Sequence, residues 1–209
     1  TQRPSPLPQD DILCATMHPS GALAATGQAG SAPFACVWDT RTSDLLAAFR
    51  SAHTVGVCAV AFHPSGSLLA TCGLEPSHCV AIWDWARGAM LSRVSTGASR
   101  LFGLAFRPPV EPSTTAPLPL HAPAPPQGTV EVAACGVRNL TFISSGGHGD
   151  ERPLRCTRGA WRGRVAPCAL MCVEYSASGG ECFTGTSRGE VIAWADRQIV
   201  RVVRAHSGP

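Results

Sequence analysis

The stretch Val57–Val94, VCAVAFHPSGSLLATCGLEPSHCVAIWDWARGAMLSRV, decides the fold. It holds four short apolar runs: Val57–Phe62, Ser67–Cys72, Cys79–Trp83 and Ala89–Val94. Each ends in turn chemistry. His63-Pro64-Ser65-Gly66 is a tight turn, with proline fixing φ and glycine free to take a positive φ. Gly73 to His78 is a looser loop, and Asp84 to Gly88 is a third turn. Runs of about six residues are too short for helices, and these are rich in Val, Ile, Leu and Phe. Four strands joined by hairpins make one antiparallel unit.

The unit recurs upstream without a gap. His18-Pro19-Ser20-Gly21 stands 45 positions before His63-Pro64-Ser65-Gly66, Ala25-Thr26 stands 45 before Ala70-Thr71, and Trp38-Asp39 stands 45 before Trp83-Asp84. A period of about 40–45 residues, four strands per period and a Trp-Asp pair closing the third strand form the WD40 pattern. The expected architecture is all-β, a WD40 β-propeller with about four four-stranded blades of a larger ring. Residues 1–10 read as an unstructured lead-in and 11–209 as the partial propeller, with blades near 11–50, 53–96, 99–144 and 165–204. In the third repeat Phe142 is read as standing where the tryptophan would be. The 20 residues 108–127 include eight prolines and read as an insertion without a core-forming pattern. A seven-bladed ring needs roughly 280–315 residues at this period, so the chain is expected to be part of a longer protein or an incomplete gene model.

Composition agrees with a turn-rich globular chain: 209 residues, 44% apolar, 21 Gly and 18 Pro. No apolar run reaches the roughly 18 residues of a membrane span, and the opening residues have no apolar signal core. The expected location is therefore cytosolic. Ten cysteines lie mostly along expected strands, with Cys156 in a loop. They read as small apolar core residues in a reducing compartment. His148, Cys156, Cys168 and Cys172 fit no zinc spacing, so no metal and no cofactor is expected. All 17 basic residues are arginine.

Two groups of residues matter for function. The WD-repeat hydrogen-bond set joins a histidine at the repeat start, a Ser/Thr in strand two, the strand-three tryptophan and a turn aspartate. His53, Thr71 and Trp83 supply three members, and no aspartate lies between Thr71 and Trp83, so the set reads as incomplete. With Trp38, Asp39, Asp84 and Trp194 these are structural residues. The second group is the segment 150–164, read as a basic loop, where Arg152, Arg155, Arg158, Arg162 and Arg164 surround Trp161. It is a candidate patch for an acidic protein partner through salt-screened attraction. A single tryptophan among arginines gives weak support for nucleic acid. The Gly-rich stretch Ser144–Asp150 lacks the lysine of a phosphate loop, no nucleophile elbow is present, and an enzyme is not expected.

Ala25-Thr26-Gly27-Gln28 followed by Val37-Trp38-Asp39 resembles the early propeller of the echinoderm microtubule-associated protein-like (EML) family, as do Ile82-Trp83-Asp84-Trp85, Gly136–Phe142, Arg158–Gly163 and Phe183–Thr186 followed by Gly189–Trp194. The resemblance implies a tandem-propeller scaffold without enzymatic activity that associates with tubulin and microtubules in the cytoplasm, on the cytoskeleton or in the cilium. The other reading is a general WD40 adaptor, in a ciliary or ubiquitin-ligase assembly, without direct tubulin contact. A membrane partner is not expected.

Overall fold

The computed structural model describes residues 10–97, 99–109, 129–145, 154–161, 163 and 165–206. Sixteen strands account for the regular structure of these residues. They are β1 (Ile12–Met17), β2 (Leu23–Gln28), β3 (Ala35–Asp39), β4 (Leu45–Phe49), β5 (Val57–Phe62), β6 (Leu68–Gly73), β7 (Cys79–Asp84), β8 (Ala89–Ser95), β9 (Leu101–Phe106), β10 (Glu131–Gly136), β11 (Asn139–Ser144), β12 (Arg155–Arg158), β13 (Leu170–Tyr175), β14 (Cys182–Thr186), β15 (Glu190–Ala195) and β16 (Gln198–Arg204). They form four separate four-stranded sheets in chain order, antiparallel throughout. Each sheet is one blade.

The core lies between blades rather than inside any one of them, because a sheet four strands wide can bury side chains only against another sheet. Blades 1 and 2 share a cluster that includes Leu23, Val37, Phe62, Leu69, Trp83 and Trp85. Blades 2 and 3 meet through Leu68, Ile82, Leu101, Phe106 and Ile143, and blades 3 and 4 through Phe142, Leu170, Tyr175, Ile192 and Trp194. Blade 2 is covered on both faces, so β6 and β7 are buried along their whole length. In blade 1, β2 alternates buried and half-buried positions.

The structure changes four readings. First, Arg155–Arg158 is not loop but β12, paired to β11 from Thr141↔Arg158 to Ser144↔Arg155 as the outer strand of blade 3; Cys156 therefore sits in a strand. The alternation of charged and small residues hid it, since an outer strand has little apolar surface to bury. Second, the run Ala166–Tyr175 reads as one strand in the sequence, but the first strand of blade 4 begins at Leu170, and Ala169 makes only an isolated bridge to Val137. Third, register puts Ile143, not Phe142, at the tryptophan position. Ile143 pairs with Val132 as Trp83 pairs with Leu69 and Trp194 with Cys182, and all three side chains face the preceding blade. Phe142 faces the following blade, one residue earlier, because side chains alternate along a strand. The fourth concerns the fastener in blade 2, described below. The lead-in and most of the Pro-rich insertion lie outside the described residues.

Candidate interaction surface

Trp-Asp pairs close the third strands of blades 1 and 2. Asp39 Oδ1 accepts the backbone N–H groups of Arg41 (2.8 Å) and Thr42 (2.9 Å), which caps the β3–β4 turn. Asp84 does the same for Arg87 N at 3.1 Å and also pairs with the Arg87 guanidinium at 2.6 Å. The tryptophans tie strand three to strand two. Nε1–H donates to Thr26 from Trp38 (2.9 Å), to Thr71 from Trp83 (3.0 Å) and to Thr184 from Trp194 (2.9 Å).

Blade 2 extends this pair into a buried chain of four side chains. Thr71 Oγ1 lies 2.8 Å from His53 Nε2, and His53 Nδ1 lies 3.1 Å from Glu75 Oε1. Glu75, in the β6–β7 loop, takes the place that was read as vacant for want of an aspartate; its longer side chain reaches the same ring nitrogen, and it also accepts Cys79 N–H at 3.2 Å. The order of donors is forced. Trp83 donates to Thr71, the Thr71 hydroxyl donates to His53 Nε2, and His53 Nδ1–H donates to Glu75, which makes the imidazole neutral. Burial lowers the His53 pKa, against the raising effect of Glu75. Burial pushes the Glu75 carboxyl up, but the hydrogen bond from His53 and those from the backbone bring it net below the ordinary range. A neutral histidine donating to an ionised carboxylate satisfies both directions. Arg93, on β8 with its side chain 40% exposed, stands 3.8 Å from the same carboxylate.

Two of the proposed patch residues are described as exposed cations: Arg155 and Arg158 project from β12, and neither has an ion-pair partner among the described residues. Arg158 reaches back toward blade 2, since a Cβ on Gly97 would lie 3.5 Å from its Nη2. Trp161 packs edge-on against Trp194, ring centroids 5.4 Å apart. It joins the blade 3–blade 4 cluster and is only half exposed. Arg152, Arg162 and Arg164 lie outside the described residues, as does His148.

The ten cysteines are free thiols. Burial pushes Cys14 and Cys135 up to about 12, which keeps them protonated and unreactive at neutral pH. Among the described residues no group of three or more His, Cys, Asp or Glu side chains is placed to hold a metal ion, and no helix is long and apolar enough to cross a membrane.

Four stacked antiparallel blades, three of them fastened by Trp–Thr pairs, define a WD40 β-propeller, a fold that serves as a scaffold for protein–protein contacts and is typically not catalytic. Comparison with known proteins agrees. The WD domain, G-beta repeat model matches residues 44–84. That span runs from the start of β4 to the end of β7, so the matched period straddles two blades. Among solved structures, the β-propeller domain of Myceliophteria thermophila Cps50 (Swd1) superposes with a TM-score of 0.70 at 16% identity, covering 97% of this chain. The chain spans 57% of that protein's length.

Proposed function

We propose that the protein is a microtubule-associated WD-repeat scaffold that meets the acidic surface of tubulin through the outer edge of blade 3. The observation that carries the reading is the pair of exposed arginines on β12, without an ion-pair partner among the described residues and at the edge of their sheet. An edge strand displays side chains and backbone that interior strands must bury, and guanidinium groups there attract carboxylates over about a Debye length. The sequence resemblance supplies the partner; the propeller supplies a rigid frame that holds the edge in place. On this reading the protein works on the cytoplasmic cytoskeleton.

The test is co-pelleting of the complete protein with microtubules at low and moderate salt, beside an Arg155→Glu/Arg158→Glu variant. The expected result is salt-sensitive pelleting that falls about tenfold in the variant, since reversing two charges near a charged surface removes on the order of 1–2 kcal/mol. A folded parent that does not pellet would favour the adaptor reading. Pelleting kept in full by the variant would move the contact away from β12.

A further inference from the structure

The junctions between blades use equivalent positions, and one junction has been rebuilt. At the junction of blades 1 and 2, His18 follows β1, and its Nε2–H donates to Gly66 O in the β5–β6 turn at 3.0 Å. Trp85, just after β7, covers that same carbonyl with its Nε1–H at 2.6 Å. Leu23 and Phe62 fill the space beneath, and His18 packs edge-on to Phe62. The result is a closed, apolar seam.

At the junction of blades 3 and 4 the corresponding residues are all polar or charged. Arg107 follows β9, and its Nε–H donates to Gly179 O at 2.7 Å, the same bond that His18 makes. Glu131 takes the place of Leu23, since Val132 pairs with Phe106 as Ala24 pairs with Met17. Tyr175 replaces Phe62, and its hydroxyl donates to Glu131 Oε1 at 2.9 Å. Asp196, the first residue after β15, replaces Trp85. Removing an indole and adding a two-residue turn with positive φ at Asp196 and Arg197 (46° and 65°) leaves a recess of about 210 Å³ over Phe142, Tyr175 and Trp194.

In charge the recess is balanced, Arg107 and Arg197 against Glu131 and Asp196, but its N–H donors outnumber its close acceptors. Glu131, its side chain 12% exposed, already receives the tyrosine hydroxyl and faces two guanidiniums, Arg107 Nη1 at 3.6 Å and Arg197 Nη2 at 3.5 Å. Those distances are too long for charge-assisted hydrogen bonds, which close to about 2.7–2.9 Å. Two guanidiniums bring ten N–H donors, and among the described residues only the Arg107 Nε bond is short. Glu131 at the side and Asp196 on the rim are the opposing charges. The site has donors to spare, and its volume is below the roughly 300 Å³ at which pockets for drug-sized ligands begin, so it suits one small oxyanionic group rather than a nucleotide.

We propose that this recess takes the carboxylate of a glutamate or aspartate side chain from an acidic segment of a partner protein, clamped between Arg107 and Arg197. The site is separate from the β12 edge, neither of whose arginines lines it, so it stands or falls independently of the microtubule reading.

The experiment is an NMR titration of the complete protein with a hexaglutamate peptide, and with inorganic phosphate as a second probe. The peptide is expected to shift the amides of Gly179 and Gly180 and the indole N–H of Trp194. Arg197→Gln, on a side chain 42% exposed and with its fold checked by the amide spectrum, is expected to weaken binding about tenfold, the scale of one charged hydrogen bond. Asp196→Asn keeps a residue that tolerates positive φ and removes one of the two opposing charges; binding should tighten about threefold. No shift at these groups, unchanged affinity in folded Arg197→Gln, or weaker binding in Asp196→Asn would each overturn the proposal. So would phosphate binding as tightly as the peptide, which would make the recess a general anion site.

Discussion

Blades 2 and 3 solve one problem in opposite ways. In blade 2 strands two and three are fastened by Trp83, Thr71, His53 and Glu75, all buried and hydrogen-bonded in series. In blade 3 the Thr71 position is Ala134 and the Trp83 position is Ile143, both fully buried. The polar fastener is not damaged there; both partners are gone together. A buried hydroxyl without a partner costs about 1–3 kcal/mol, whereas replacing both members by apolar groups is close to neutral. Blade 3 can therefore lack the WD signature and still share a buried cluster with each neighbour. The lesson is that the signature is one solution to strand cohesion, and that it changes as a unit.

The comparison is broken most severely at the middle of the blade 2 chain. His53→Ala leaves the Thr71 hydroxyl without its acceptor and takes from the Glu75 carboxylate its side-chain hydrogen bond, leaving Cys79 N–H, with Glu75 only 4% exposed. An unpaired buried hydroxyl and a lost hydrogen bond to a buried carboxylate cost about 2 kcal/mol each, about 4 kcal/mol together, and urea unfolding should show that loss. A variant destabilised by less than about 1 kcal/mol would mean that the chain is ornamental and that blade 2 is held as blade 3 is, by apolar packing alone.

Acid should reach the two blades unequally. His63, which follows β5, is 4% exposed and packs edge-on to Phe106, 5.1 Å between ring centroids; its Nδ1 accepts Ser65 N–H at 3.0 Å. Burial lowers its pKa to about 4 from 6.5. The unfolded chain therefore binds a proton first. Stability from this residue is complete above about pH 6.5, declines as pH falls from there to about 4, and is then exhausted; the loss is on the order of 3 kcal/mol. His18 and His53 shift in the same direction, each chiefly through burial, and add to the slope in the same sense. Urea midpoints measured from pH 7.5 to 4.5 should fall, and His63→Phe should flatten the fall. An unchanged slope in that variant would place the titrating group elsewhere.

How far the sequence revealed this follows from where periodic constraint acts. The gapless 45-residue offset exposed blades 1 and 2, because turns and tryptophan positions there carry full-length signatures. β12 was missed because Arg155-Cys156-Thr157-Arg158 pairs on one side only and buries little. Ile143 was missed because Phe142 is the aromatic neighbour and sequence shows identity, not side-chain direction; the pairing Val132↔Ile143 settles that. Glu75 was missed because aspartate was sought, although a carboxylate one methylene longer serves from the same loop. The recess beside Arg107 had no local signal at all. Its residues come from β10, β11, β13, β14 and β15, from Arg107 just after β9 and from two turns, and they converge only when two blades stack.

The mildest test asks whether the blade 3 solution can be installed in blade 2. Thr71→Ala alone leaves the Trp83 Nε1–H and His53 Nε2 without the shared hydroxyl, for about 2 kcal/mol. Trp83→Ile alone removes the indole, and part of its loss is the cavity beside Phe49, whose ring lies 5.1 Å away. If the two residues change as a unit, the double variant should be less destabilised than the sum of the singles, by about 1 kcal/mol. The reverse experiment in blade 3 completes the cycle: Ala134→Thr puts a hydroxyl on the buried face shared with Ile143 and should destabilise, while Ala134→Thr with Ile143→Trp should recover part of that loss. Strict additivity in both blades would show that Trp and Thr contribute separately, and blade 3 would then have lost its fastener one residue at a time.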